Sequence, residues 1–269
     1  MNRFPGDIKL QMLCAALPKP YYRDEACALY LGDARELLPL VPAGSVDLLA
    51  TDPPYGISLS AHGGNSIGHS GEGGARPKEH YLVKGDKSTE LGEMVLAWAE
   101  RFRLPTVVFA SPDLPWPGKW RSRLVWDKGP AVGGGGDTAK CFKRTWELIQ
   151  VARNGDLRER GEGVLKFWVT PKDSRLHICA KPVALMKYLV WQLAPDAGLV
   201  FDPFAGSGST LRAAKDVGCY AVGFEIEEKH CRTAAERLTQ QVFAAGPADP
   251  AERAALARTF PLIQKAFAL

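Results

Sequence analysis

Leu199-Val200-Phe201-Asp202-Pro203-Phe204-Ala205-Gly206-Ser207-Gly208-Ser209-Thr210 runs from an apolar stretch through a glycine-bearing turn into an amphipathic segment, Leu211–Val217. Glycines between a strand and a helix let the backbone approach a ligand closely, and the helix N-terminus presents unpaired N–H groups. The next apolar run, Tyr220–Phe224, ends in Glu225, 19 residues beyond Gly206. An acid at that position suits a pair of ribose hydroxyls. Glycine-rich turns also serve as plain tight connections. A dinucleotide site is a further reading, although Leu211 stands where the third glycine of that fingerprint belongs.

Upstream, the apolar run Val46–Thr51 leads into Asp52-Pro53-Pro54-Tyr55. Asp52 can accept a hydrogen bond from an amino group. Pro53 and Pro54 lack an N–H and have a fixed φ, so their carbonyls point outward from a stiff turn. Tyr55 can lie against a planar ring. These parts can hold the exocyclic amino group of a nucleobase. A strand followed by a Pro-Pro turn accounts for the same letters with no chemistry at all.

Seven strands are expected, at Ala28–Leu31, Val46–Thr51, Thr106–Ala110, Arg123–Trp126, Glu147–Ala152, Leu199–Asp202 and Tyr220–Glu225. Helical patterns fall at Ala34–Leu40, Thr89–Phe102, Val183–Leu193, Thr210–Val217 and Glu228–Val242. This alternation predicts an α/β fold, a parallel-dominated sheet with helices on both faces. Ligands in such sheets bind beyond the strands' carboxyl ends, where Asp52, Asp202 and Glu225 all fall. The 269 residues suit one domain, 1–269, and the net charge of +4 permits a phosphate-binding face without demonstrating one.

Cysteines 14, 27, 141, 179, 219 and 231 form no Cys-x-x-Cys pair and read as buried small hydrophobes in a reducing cytosol. His62, His69 and His80 share a glycine-rich loop whose spacing matches no ligand set, so no metal is expected. No run is long and apolar enough to span a membrane, and Lys9 and Gln11 interrupt any signal-peptide core.

Together the two motifs resemble the amino-group DNA methyltransferases that use S-adenosylmethionine. Their tetrad Asp-Pro-Pro-Tyr comes first here, with Phe-Ala-Gly-Ser-Gly about 150 residues later, the circularly permuted order of the β class. Leu31–Ala34, Leu124–Lys128, Thr145–Ile149 and His177–Met186 are similar to further family segments, so the resemblance covers roughly residues 28 to 240. It implies a Rossmann-like seven-stranded methyltransferase sheet and gives Asp52, Pro53, Pro54 and Tyr55 to the target base. It gives Asp33, Lys181, Asp202, Phe204, Ala205, Gly206, Ser207, Gly208, Ser209, Thr210 and Glu225 to the cofactor. Lys181 would face the cofactor carboxylate; the family has His-Pro where Ile178 follows His177 here. Asp in the tetrad favours adenine-N6 over cytosine-N4. The resemblance also implies a cytoplasmic, nucleoid-associated protein of bacterial or phage origin, with or without a cognate restriction enzyme. A nucleotide-dependent oxidoreductase or a non-catalytic DNA-binding regulator are readings of another class, and each leaves the tetrad idle.

The segment Ile57–Lys87 is rich in glycine and short of apolar anchors, as expected of a lid that orders over DNA or cofactor. Residues 153–176 read as a short target-recognition insertion, with Arg153, Arg158, Arg160, Lys166, Lys172 and Arg175 on double-stranded DNA and Phe167 and Trp168 among them. A solvated surface excursion explains the same charges. So short an element predicts a homodimer, which would double the contact surface. The tail 250–269 reads as a helix broken at Pro261.

Overall fold

In the sheet at the centre of the molecule, alternate residues of each inner strand go to opposite cores. The computed structural model describes residues 5–55, 88–129, 142, 145–152, 157–169 and 180–240. The strands are β1 (Tyr22–Arg23), β2 (Cys27–Leu31), β3 (Leu48–Thr51), β4 (Thr106–Ala110), β5 (Ser122–Asp127), β6 (Trp146–Ala152), β7 (Val164–Lys166), β8 (Leu199–Asp202) and β9 (Tyr220–Glu225). The helices are α1 (Gly6–Ala16), α2 (Ala34–Leu37), α3 (Glu90–Arg101), α4 (Val183–Leu193), α5 (Ser209–Asp216) and α6 (Glu228–Thr239).

The sheet order is β1-β2-β9-β8-β3-β4-β6-β5-β7. From β2 to β4 every neighbouring pair is parallel; β6 is antiparallel to both β4 and β5. Leu29, Leu48, Val200 and Ala221 enter one core with residues of α4, α5 and α6. Tyr30, Leu49, Phe201 and Val222 enter the opposite core with residues of α1, α2 and α3. That is the period-two alternation of a strand buried on both faces, and it explains why these segments read as unbroken apolar runs.

Nine strands are described where seven were expected. The additional two, β1 and β7, have two and three residues, too few to show a period. β7 lies inside the stretch read as an insertion, yet Leu165 and Phe167 are buried in the main core. The stretch 157–169 is therefore partly sheet. The loop Ile57–Lys87, the tail 250–269 and most of 129–137 lie outside the described residues. Cys27, Cys219 and Cys231 are buried and Cys14 is half-buried; 141 and 179 lie outside the described residues. Among the described residues no helix is long and apolar enough to cross a membrane.

Helix α1 was not anticipated, because Lys9 breaks its apolar pattern. Lys9 is buried, and its ammonium donates to Asp47 Oδ1 at 2.5 Å. The other carboxylate oxygen of Asp47 accepts from Leu199 N–H at 2.8 Å, and Asp47 N–H donates back to Leu199 O at 2.9 Å. One ion pair thus pins α1 to the entry of both β3 and β8. Lys9→Met should destabilise the fold by about 3–5 kcal/mol, because it strands a buried carboxylate. Urea denaturation of the two chains measures the difference.

Candidate active site

The polar ends of β3 and β8 are fastened together. Thr51 Oγ1, on the last residue of β3, donates to Asp202 Oδ1 at 2.7 Å. Phe204 N–H donates to the same oxygen at 3.1 Å, and the Thr210 hydroxyl also bonds the carboxylate. Asp202 is buried, and burial pushes its carboxyl up to about 6 against the pull of these donors. It was expected at the cofactor, and its hydrogen bonds organise the turn. The Asp52 ledge and the glycine turn consequently leave adjacent strands side by side.

At the turn, Gly206 has φ +51° and no atom within 4 Å of where a side chain would begin. Gly208 has φ +77°, and a side chain there would meet Ala234 at 2.9 Å. The first glycine leaves open space beside the backbone, and the second lets α6 pack close. Glu225, at the end of β9, accepts from Gly206 N–H at 2.9 Å and from Glu227 N–H at 2.8 Å. Burial raises its carboxyl above the usual range despite these donors. Ser207, Ser209 and Thr210 are buried, and Arg237 Nη1 donates to Ser209 Oγ at 2.5 Å. Phe204 is half-buried against the α1–α3 core, and Ala205 is buried in the α4–α6 core. Asp33 follows β2 beside β9, where Gly32 N–H donates to Glu225 O at 2.9 Å. Its carboxylate caps α2 through Arg35 N–H at 2.8 Å and pairs with the Arg35 guanidinium.

At the ledge, Tyr55 donates its hydroxyl to Asp52 Oδ1 at 2.5 Å. The Tyr55 ring meets Trp116 edge-on, with centroids 6.4 Å apart. Trp116 is itself clamped, its backbone by both ends of the Gln150 amide and its indole N–H by Phe109 O at 2.8 Å. Asp52 Oδ2 receives the ammonium of Lys181. Burial pushes the Asp52 carboxyl above its ordinary value and Glu147 adds to this, while Lys181 and Tyr55 oppose it.

Two residues expected at ligands have protein partners. Lys181, expected on the cofactor carboxylate, lies between Asp52 and Glu147, the latter 3.2 Å away. Its burial next to two carboxylates accounts for that placement. Arg158, expected on DNA, turns back onto the C-terminus of α4. It donates to Trp191 O and to Ala194 O at 2.9 Å, and pairs with Asp196 at 2.6 Å. A helix C-terminus presents unpaired carbonyls and a partial negative charge, so a guanidinium is held there. Arg160 is exposed and Lys166 ends β7; Arg153, Lys172 and Arg175 lie outside the described residues, as do His62, His69, His80 and His177. Among the described residues no group of three or more His, Cys, Asp or Glu is placed to hold a metal.

Sequence reasoning missed Glu147, Lys128, Trp116 and Gln150. The available signal was a charged or amide side chain inside an otherwise apolar strand, at Glu147 and Gln150.

Residues 121–236 match a family model described as DNA methylase. The type II methyltransferase M.ScaI of Streptomyces caespitosus is 27% identical over 278 residues, covering 86% of this chain and 88% of that protein. The M1.HpyAVI–SAM complex superposes with a TM-score of 0.55 at 20% identity, over 79% of this chain and 99% of the other. The PvuII DNA methyltransferase, described as cytosine-N4-specific, gives 0.56 at 15% identity, over 84% and 90%. Both structures share the sheet-and-helix fold described above.

Two outcomes follow from this geometry. Arg158→Ala should lower stability by about 1–2 kcal/mol through the lost bonds to α4, with the part-exposed ion pair adding little; thermal unfolding reads this. Asp202 is pushed by burial up to about 6 in the fold, against 3.8 for an unperturbed aspartate. The folded state therefore binds more protons than the unfolded between those values, so Asp202 makes stability fall as pH rises through that window. Asp202→Asn should remove this slope, and its stability relative to the parent should climb from about pH 4 to 6 and then level. Urea midpoints across that range are the measurement.

Proposed function

We propose that the chain is a DNA methylase acting on the exocyclic amino group of adenine or cytosine, as the family-model match and the likeness to M.ScaI support, and that it methylates N6 of adenine in double-stranded DNA. The observation that carries this reading is the Thr51–Asp202 bond, which sets the Asp52 ledge beside the glycine turn in one crevice. The open space at Gly206 and the carboxylate of Glu225 at its edge fit S-adenosylmethionine. Bound there, it supplies an electrophilic methyl carbon on a sulfonium. Glu225 would hold the ribose hydroxyls, with Gly206 allowing close backbone approach.

The work of the chain is on the amino group, whose lone pair is delocalised into the base. Asp52 and the Pro53 carbonyl accept its hydrogens and favour a more pyramidal, more nucleophilic nitrogen. Tyr55 offers its face to a base that has left the duplex, offsetting part of the unstacking. Trp116 braces that ring, and the Tyr55 hydroxyl fixes the rotamer of Asp52. On taking the methyl group, which would leave a neutral thioether holding the carbon–sulfur electron pair, the amino nitrogen becomes cationic, and the Asp52 carboxylate takes the surplus proton. Burial raises the proton affinity of Asp52, which suits that late role. Alignment of the two reactants lowers the barrier by roughly 7–11 kcal/mol.

The preference for adenine rests on the family resemblance, through the acid at the first tetrad position, and not on the geometry of the ledge. Cytosine-N4 is the second reading, since the same ledge accepts either amino group. Mass spectrometry of nucleosides from DNA treated with the protein and S-adenosylmethionine decides between N6-methyladenine and N4-methylcytosine; neither product would overturn both readings. Asp52→Ala should reduce turnover at least about 100-fold while calorimetry shows cofactor binding unchanged. Tyr55→Ala should weaken binding of the extruded base by about 1–3 kcal/mol, whereas Tyr55→Phe, which keeps the stacking face, should retain most of that binding. Near-parental turnover in Asp52→Ala would overturn the mechanism.

A further inference from the structure

The reaction above leaves a half-buried pair of side chains, Glu147 and Lys128, without a role. Glu147, on β6, lies beside Trp126 of β5 in the sheet. One of its oxygens, Oε1, receives the Lys128 ammonium, and the other faces Lys181 at 3.2 Å. Lys181 passes to Asp52, and its ammonium lies 4.8 Å from the centre of the Phe109 ring and 5.9 Å from that of Trp126. Lys128 lies 5.3 Å from the Trp126 ring centre. Negative and positive groups therefore alternate over aromatic rings as Asp52, Lys181, Glu147 and Lys128, and these four sum to zero. Burial would drive Glu147 up, but the two ammonium groups hold it below the usual carboxylate range.

A chain of charges built around a buried ammonium is a poor device for stability, because apolar residues of the same volume serve as well or better. Its placement against Asp52 calls for another explanation. An ammonium on Asp52 steadies and balances that carboxylate, but a further ammonium left unpaired behind it would oppose the positive charge that grows on the amino nitrogen. Lys128 is such a group, and Glu147 pairs with it while facing Lys181. We propose that Glu147 is a positioning residue for methyl transfer: it holds Lys181 on Asp52 and cancels the charge of Lys128 toward the reacting nitrogen. This rests on the methyl-transfer reading above.

The test compares Glu147→Gln with the double variant Glu147→Gln/Lys128→Met, using labelled methyl transfer from S-adenosylmethionine to DNA. Glu147→Gln leaves one surplus positive charge and should lower kcat about 10–100-fold, with KM for cofactor and DNA within about threefold. The double variant restores the charge sum and should recover most of the lost kcat. A purely structural role predicts the reverse, since a second buried change adds damage. Parental kcat in Glu147→Gln, or a double variant no faster than the single, overturns the proposal. If Glu147→Gln fails to fold, the double variant, with no unbalanced charge, decides: kcat above about one third of parental supports the proposal, and a value as low as that of Asp52→Ala overturns it. A parental chain that transfers no methyl group overturns the reaction itself, and the proposal with it.

Discussion

Strands β2, β9, β8, β3 and β4 are buried on both faces, and this constraint governs where chemistry can occur. An unpaired polar group in such a sheet is destabilising by about 1–3 kcal/mol, so polar side chains must leave at the strand ends or find partners there. Parallel pairing collects those ends on one edge. Thr51, Asp202 and Glu225 all stand at that edge, and the Thr51–Asp202 hydrogen bond joins its two central strands. The crevice is thus a consequence of burial and strand direction before any ligand is considered.

The four acids at this edge are stabilised in two different ways. Asp202 and Glu225 are satisfied by neutral donors, hydroxyls and backbone N–H groups. Asp52 and Glu147 are satisfied chiefly by ammonium groups. Neutral donors leave the net negative charge of Glu225 in place, which suits a partner with hydroxyl donors and a positive centre. Ammonium groups cancel charge, which suits a site whose ligand arrives neutral and becomes positive during reaction. The division follows the sheet, from β9 and β8 on one side to β3, β4, β6 and β5 on the other.

What the sequence made legible was whatever depends on neighbours along the chain. The period of β4, β8 and β9 marks their bounds to the residue, and α4 likewise, because each carries an uninterrupted apolar pattern. The glycine turn and the tetrad were legible because their chemistry is local. Helix α1 was not, since its polar Lys9 is answered by Asp47, 38 residues away. The placement of Lys181 was not, since its partner Asp52 is 129 residues away. Arg158 was read as a DNA contact because the carbonyls that hold it belong to a helix end more than thirty positions downstream. Charge identifies a residue that must find a counterpart; only the fold says which counterpart.

The ledge by itself leaves the base undetermined. Asp52 and Pro53 present acceptors, and an acceptor recognises the N–H donors of an exocyclic amino group regardless of the ring behind it. Tyr55 presents a face, and every base has a face to stack. Neither contact distinguishes a purine from a pyrimidine. Discrimination requires a group that meets the ring edge, because the Watson–Crick edges of adenine and cytosine differ in donor and acceptor pattern. Selectivity and reactivity are therefore separable in this site. On the proposed reading the tetrad and the charge chain behind it would serve the amino nitrogen, and the choice of base would belong to side chains bordering the rest of the ring.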